Sequence, residues 1–311
     1  MLSIAFFGEC MVEVSGTLPS PLQLGFAGDT FNTAAYFSRL LKSKGNIEYL
    51  TGLGSDLLSD KMRGFLEKSG VGTKYIRTIP NRRPGLYLIE IADNGERTFH
   101  YWRGEAAAKF LLDELPPAAF ATELMQFEAV YLSGISIAIL TERGKKTLHD
   151  ALCLAKSQGL KIYFDTNYRP LLWQSRNEAK AYFEKFVPLA DIAMVTDSDM
   201  TQLYDIHRAK AEELLFNFNV PEIVLKSGDQ PCIILTRRDR ICVPACRVEN
   251  VVDTTAAGDS FNAAYLAARL TGCSPGQAAV CGHQLAAKVI QQHGAIISEE
   301  AMPILDFLST T

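Results

Sequence analysis

Four short apolar runs constrain this chain most: AVYLSG (129–134), LKIYFD (160–165), DIAMVT (191–196) and EIVLKSG (222–228). Helical stretches separate the first three, and another lies between 196 and 222. Short runs that are apolar throughout read as strands buried on both faces. Parallel neighbours need a crossover, usually a helix. The alternation therefore predicts a parallel sheet with helices on both faces. IAFFG (4–8) reads as a further buried strand. Asp29 to Lys44 reads as a helix with Asp29 or Thr30 as N-cap and Gly45 as the stop. Asp56 reads as the cap of a second helix carrying Leu57, Leu58, Met62, Phe65 and Leu66, with Gly70 at its end.

The pattern changes between 80 and 104. GLYLIEIA (85–92) and ERTFHYW (96–102) have strand composition, and Asp93-Asn94-Gly95 lies between them, a strong hairpin signal. Residues 231–245 read as another hairpin, Val251 to Asp253 as the end of a last short strand, and most of 257–309 as helix. No repeat or low-complexity linker interrupts the chain. The reading is one domain over 1–311. It is an α/β doubly wound, mostly parallel sheet flanked by helices. A small β-sheet lid, from about 10–24 and 80–104, projects from it. In such sheets ligands bind beyond the C-terminal strand ends. Gly8-Glu9, Asp165 to Arg169, Thr196 to Asp199, Lys226 to Gly228 and Asp253 to Asp259 all fall there.

Composition excludes several classes. The 311 residues are 48% hydrophobic and 21% charged, enough for a sizeable core, and the net charge of -4 offers no basic surplus for nucleic acid or an anionic membrane. Asn81-Arg82-Arg83 and Arg237-Arg238 read as solvated turns. No apolar run approaches a membrane span. MLSIAFFGECMVEV has no basic n-region, so it does not read as a signal peptide. The seven cysteines include no CxxC pair, and Cys242 and Cys246 lack a second ligand pair. Reduced thiols in a cytoplasmic protein are the expectation. GxxxxGK[ST] and HExxH are absent, and Gly52-Leu53-Gly54 lacks the third glycine of GxGxxG. His283 and His293, read onto the last helical stretch, look like surface or packing residues.

VVDTTAAGDSFNAAYLAARLTG (251–272) poses a chemical question. A helix N-terminus offers unpaired N–H groups and partial positive charge. Ala256-Ala257-Gly258 leaves room for an oxyanion. Asp259 would repel a phosphate bound there for its own sake. It is useful if an alcohol is the acceptor, because a carboxylate can take the hydroxyl proton during phosphoryl transfer. The alternative is that Asp259 only stabilises the helix dipole.

DTTAAGDSF resembles the C-terminal signature of the ribokinase-like carbohydrate kinases, the PfkB family, whose common form has Gly-Ala-Gly-Asp. Ala256 stands in the first glycine position, so the backbone there should avoid conformations that only Gly accepts easily. Phe26-Ala27-Gly28-Asp29-Thr30-Phe31-Asn32 resembles the family's N-terminal Gly-Gly signature. Lys226-Ser227-Gly228 resembles its strand end beside the nucleotide. FGECMVEVSG (7–16), RPGLYLIE (83–90), GERTFHYWRGEAAAKF (95–110), YLSGISIAIL (131–140), FDTNYRPLLW (164–173) and GHQLAAKVIQQHGAII (282–297) extend the resemblance nearly end to end. They resemble most the branch that phosphorylates 2-keto-3-deoxygluconate on its terminal hydroxyl.

The resemblance implies ATP as co-substrate, with Mg²⁺, and Asp259 as catalytic base. An acid sugar needs a cation, and Arg103 and Arg169 are the candidates, since a guanidinium matches a carboxylate with two hydrogen bonds. Strand alternation puts Phe99, Tyr101 and Arg103 on one face, with Tyr87 facing the same pocket from the partner strand. Gly28 would permit close approach of the sugar and Asn32 would bond its hydroxyls. For ATP the resemblance implies Asn167, Thr196, Lys226, Gly228 and the Ala256-Ala257-Gly258 turn. Asp199 stands where the family often has the Glu of Asn-x-x-Glu, implying Mg²⁺ held through water. Asp253 and Thr255 are candidates for a monovalent-cation loop, with K⁺ the ion. Lids in this family often pair, which implies a homo-oligomer. The partners expected are a small sugar acid and ATP, with no nucleic acid and no membrane. The rival readings are a fructokinase or other neutral-sugar kinase, the epimer 2-keto-3-deoxygalactonate as substrate, and a non-catalytic sugar- or nucleotide-sensing protein.

Overall fold

A computed structural model describes residues 2–16, 21–91 and 97–305. The chain begins with β1 (Leu2–Phe7), β2 (Met11–Gly16), β3 (Gln23–Ala27), α1 (Asp29–Leu41) and β4 (Gly45–Leu50). Next come the two-residue strands β5 (Gly52–Leu53) and β6 (Arg77–Thr78), with α2 (Leu57–Lys68) between them, then β7 (Leu86–Ile91) and β8 (Arg97–Trp102). The predicted turn at Asp93-Asn94-Gly95 lies outside the described residues. After α3 (Pro117–Leu124) the alternation begins: β9 (Ala129–Ser133), α4 (Gly134–Ala138), α5 (Glu142–Ser157), β10 (Lys161–Asp165), α6 (Arg176–Phe186), β11 (Ile192–Thr196), α7 (Asp197–Tyr204), α8 (Arg208–Asn217) and β12 (Glu222–Ser227). A hairpin, β13 (Gln230–Thr236) and β14 (Arg240–Val243), and two helices, α9 (Ala257–Leu270) and α10 (Pro275–Val289), follow.

Eight strands form one sheet in the order β14-β13-β12-β11-β10-β9-β1-β4. The six from β12 to β4 are parallel, and the hairpin adds an antiparallel edge. Both faces are covered. Ile4 and Phe6 of β1 pack with α1, α9 and α10, while Ala5 and Phe7 pack toward α3, α5 and α6. This explains why the strands read as continuous apolar runs. The chain first steps from β1 outward to β4 and later returns to the other side of β1 with β9. The switch point, and so the crevice, lies at the C-terminal ends of β1 and β9. A second sheet, β3-β2-β7-β8, pairs β7 with β8 antiparallel and β2 with β7 parallel. It extends to Ala27, slightly beyond the expected lid boundary.

Asp56 caps α2, accepting from the Leu58 and Ser59 N–H groups. Three expectations are corrected. Gly28, not Asp29 or Thr30, is the N-cap of α1; the Asp29 carboxylate and the Thr30 hydroxyl turn to distant partners instead. Val251 to Asp253 is not a strand. The Val252 and Asp253 N–H groups both go to the Ile290 carbonyl at the end of α10, so no sheet neighbour is available to them. Helix covers most of 257–309, as expected, but it does not reach His293. It stops at Val289, and only a short 3₁₀ turn, Glu299–Ala301, follows among the described residues. His293 therefore lies beyond α10, while His283 is buried with its ring edge-on to Phe261.

Candidate active site

The ends of strands β1, β9, β10, β11 and β12 deliver the segments 8–9, 133–134, 166–169, 197–199 and 227–228 to one rim. The N-termini of α1 and α9 meet there. Asn32, in the first turn of α1, donates from Nδ2 to Asp259 Oδ2 at 2.8 Å. Asp259 sits in the first turn of α9. Gly28 is held extended, and a side chain there would collide with the Glu9 carbonyl. Its lack of a Cβ thus serves the crossing of two backbones as well as access for a ligand. Gly28→Ala should destabilise the protein by about 2–3 kcal/mol, read by chemical denaturation, because the obstacle is backbone. Unchanged stability would contradict this packing.

The turn before α9 is braced by Asp253. Its Oδ1 accepts from the Thr255 N–H and hydroxyl at 3.0 and 2.7 Å, and its Oδ2 accepts from the Gly294 N–H at 3.0 Å. Ala256 then adopts φ 58°, ψ 16°. This corrects the expectation that Ala256 avoids a glycine-like conformation. The left-handed region costs a non-glycine residue about 1–2 kcal/mol. The bonds of Asp253 around the turn, and packing of Ala256 against the cluster of Met11, Ala27, Tyr87, Ile89 and Ala295, hold it there. Ala257 begins the helix. Above Gly258 there is space: a Cβ added there would have only Lys226 Nζ nearby, at 3.6 Å. An anion approaching the N–H groups of this turn would meet that ammonium too.

Lys226 is buried. It donates to Asn262 Oδ1 at 2.8 Å and Asp165 Oδ1 at 3.3 Å, and Asn262 Nδ2 in turn reaches Asp165 Oδ2 and the Tyr131 hydroxyl. The second oxygen-rich point is Asp29, whose Oδ2 accepts from Ser133 Oγ at 2.5 Å and Asn167 Nδ2 at 2.8 Å. Asn167 is itself held at φ 33°. Asp199 is buried, and its Oδ2 accepts from Thr166 Oγ1 and the Tyr168 N–H. Thr196 caps α7 through its backbone position alone, and Gly228 turns at φ 57° with open space beside it.

Several carboxylates thus crowd one region around a single buried lysine. Burial pushes Asp259 up to about 7, the charge of Asp29 adds to this, and Asn32 and Lys226 oppose it. Solvent still touches Asp259, but protein encloses most of its surroundings. Burial likewise raises Asp165 and Asp199 above the usual carboxylate range.

On the small sheet, Tyr87 stands opposite Tyr101, with ring centroids 5.8 Å apart, and Phe99 stacks on Tyr101. The face shared by these residues is the one read from the alternation. The Tyr87 hydroxyl donates to Glu13. Arg103 is paired with Glu9. Arg169 is exposed, and its one hydrogen bond among the described residues goes to the Tyr168 carbonyl at 3.1 Å. The candidates therefore fall into a core group (Gly28, Asn32, Lys226, Gly258, Asp259), a nearby Asn167–Asp29 pair, and a small-sheet group whose apolar cluster, Tyr87 included, packs against Ala256 of the α9 turn. Sequence reasoning missed Asp29 and Asn262 as members, and it placed Glu9 and Asp165 at the crevice without giving either a role. Glu9 and Asp165 lie at strand ends and Asp29 in the first turn of α1, whereas Asn262 lies one turn into α9.

The fold and a carboxylate beside an open, positively polarised helix turn narrow the possibilities, and comparison with known proteins decides. Residues 1–302 match the pfkB family of carbohydrate kinases. The chain belongs to that family. A 2-dehydro-3-deoxygluconokinase of Dickeya dadantii is 42% identical over 308 residues, 97% of this chain and 98% of that protein. The crystal structure of 2-dehydro-3-deoxygluconokinase from Thermotoga maritima superposes with a TM-score of 0.82 at 23% identity, covering 100% of this chain and 98% of the other. A putative ribokinase II from E. coli in complex with ATP and Mg²⁺ gives 0.82 at 20% identity, with the same coverage. The two structures establish the ribokinase-like fold; ATP as co-substrate follows from the family.

Proposed function

We infer that this chain transfers the γ-phosphoryl group of ATP to the 6-hydroxyl of 2-keto-3-deoxy-D-gluconate, giving 2-keto-3-deoxy-6-phosphogluconate and ADP. Near full-length identity of 42% to a 2-dehydro-3-deoxygluconokinase supports the substrate. The observation that carries the chemistry is Asp259, a carboxylate raised to about 7 in the first turn of α9, beside the open backbone of Gly258 and the Lys226 ammonium. The 6-hydroxyl oxygen attacks the γ-phosphorus, the bond to the bridging oxygen of ADP breaks, and Asp259 takes the hydroxyl proton. The N–H groups of Ala257 and Gly258, with Lys226, face the charge that develops on the transferring group. Asn32 holds Asp259 in place. Asn167, Thr196 and Gly228 line the strand ends where the nucleotide would lie.

Arg103 and Arg169 supply the charge that a sugar carboxylate requires, and Tyr87 and Tyr101 wall the same side. Mg²⁺ would neutralise charge on the ATP phosphates. Asp199 would hold it through water, since both of its protein bonds go to Oδ2 and Oδ1 meets no protein donor among the described residues. Asp253 and Thr255 belong to the same reading as a K⁺ loop, checked by replacing K⁺ with tetramethylammonium in the assay; an unchanged rate would remove them. Phe99, Tyr101 and Trp102 are 41, 49 and 60% exposed, which supports pairing of two lids. Sedimentation showing a monomer would refute that pairing. The free cysteines support a cytoplasmic setting, and no helix among the described residues is long and apolar enough to cross a membrane.

Phosphorus NMR of the product tests the transfer itself. A phosphate monoester on the terminal carbon is expected. A monoester elsewhere, or none, would contradict the placement of the 6-hydroxyl at Asp259.

A further inference from the structure

Glu9 stands where every passage between the two sheets converges. The chain crosses the boundary after β1, after β3, before β7 and after β8. At the first crossing is Glu9 itself. At the second, the Glu9 carbonyl fills the space where a Gly28 side chain would lie. At the third, Glu9 Oε1 lies 2.5 Å from where a Cβ on Gly85 would be. At the fourth, Arg103 Nη2 donates to Glu9 Oε2. The pair is nearly dry, with side-chain exposures of 2% for Glu9 and 12% for Arg103. It is also incomplete. Glu9 Oε1 and Arg103 Nε are both buried without a hydrogen-bond partner.

A buried guanidinium has several rotatable bonds to order and five N–H donors to satisfy. One carboxylate oxygen meets only part of that demand. The pair therefore fixes the arginine and leaves donors for a second anion. Burial raises the Glu9 carboxyl and the charge of Arg103 opposes that rise, so the guanidinium is what favours the ionised carboxylate in this dry site.

We propose that Glu9 is a positioning residue for Arg103: it holds the guanidinium at the junction of the two sheets so that the remaining N–H groups meet the carboxylate of the acid sugar. Recognition of that carboxylate is thereby tied to the seating of the small sheet. The proposal rests on the reading of Arg103 as the carboxylate contact. Glu9 touches neither the transferred group nor the nucleotide in this scheme, so its effect passes through Arg103 alone.

Two variants test it from opposite sides. Glu9→Gln keeps the shape and removes the charge. Gly85→Ala keeps the charge and pushes the carboxylate aside, its new Cβ also pressing on Met11 and Arg103 at 3.1 and 3.3 Å, and it covers the case in which Glu9→Gln does not fold. Each should raise the KM for 2-keto-3-deoxygluconate by about tenfold, a typical coupling between contacting charged groups, and leave the KM for ATP unchanged. Glu9→Gln added to Arg103→Ala should produce no further rise, a result that a general brace of the fold would not give. An unchanged or lower sugar KM in both variants, or the same rise without Arg103, would overturn the role of Glu9. Arg103→Ala with an unchanged sugar KM would instead remove the underlying reading of the carboxylate contact.

Discussion

Asp259→Asn should lower kcat by about 10²–10⁴-fold, the range expected when a positioned general base is lost, while ATP binding by calorimetry stays near wild type. Asparagine keeps the volume and an oxygen for Asn32 Nδ2, so the geometry around α9 survives. The same variant should be more stable than the parent above neutral pH. Burial and Asp29 hold Asp259 at about 7 in the folded protein against an ordinary 3.8. The folded state therefore binds this proton more tightly than the unfolded chain. The associated stability is fully present below the ordinary value and is lost as pH rises through about 7. At pH 8 the asparagine variant avoids burying a charge, a gain on the order of 1–3 kcal/mol after allowance for the solvent that still reaches the site. Loss of activity with loss of stability would assign Asp259 a structural role instead. In the parent enzyme, kcat/KM should fall as pH drops below about 7, because the base becomes protonated, and that limb should vanish from the residual activity of Asp259→Asn.

Arg103→Ala should raise the KM for 2-keto-3-deoxygluconate by roughly 30- to 150-fold, about 2–3 kcal/mol, as befits loss of a desolvated charge that meets a carboxylate. The KM for ATP should stay within about twofold. The substitution also strips Glu9 of its partner. Burial already raises the Glu9 carboxyl, so it can take up a proton and the fold is retained at moderate cost, which a melting curve run in parallel will register. The decisive control is the sugar analogue with a hydroxymethyl group in place of the carboxylate. Parent and variant should bind it alike. A variant that loses both ligands equally has lost its pocket rather than its cation.

What could be read from the residues alone was periodic or local. The apolar runs from Ala129 to Ser227 announced the parallel sheet because strands buried on both faces leave an unmistakable composition. Asp56 announced its helix because a cap bonds to residues two and three positions away. The shared face of Tyr87, Phe99 and Tyr101 followed from the two-residue repeat of a strand. Asp259 stood out because its charge contradicted its surroundings. What could not be read depends on partners far along the chain. Asp29 has the sequence context of a cap, yet its carboxylate bonds Ser133 and Asn167, 104 and 138 residues away. Arg103 was legible as a cation, but Glu9, 94 residues earlier, was not legible as its companion. Val251 and Val252 have strand composition, but the sheet has no place beside them. Ala256 was expected to avoid a left-handed backbone because propensity is local, whereas the bonds of Asp253 to Thr255 and Gly294 impose the turn from outside.

This site is assigned an acid sugar as its phosphoryl acceptor. ADP release by the purified protein with ATP and Mg²⁺ tests it most directly, comparing 2-keto-3-deoxygluconate, 2-keto-3-deoxygalactonate, gluconate, fructose and ribose. A preference for the keto-deoxy acids by orders of magnitude in kcat/KM is the predicted result. Comparable or better turnover of fructose would leave the fold and Asp259 standing and contradict the assignment of Arg103 and Arg169.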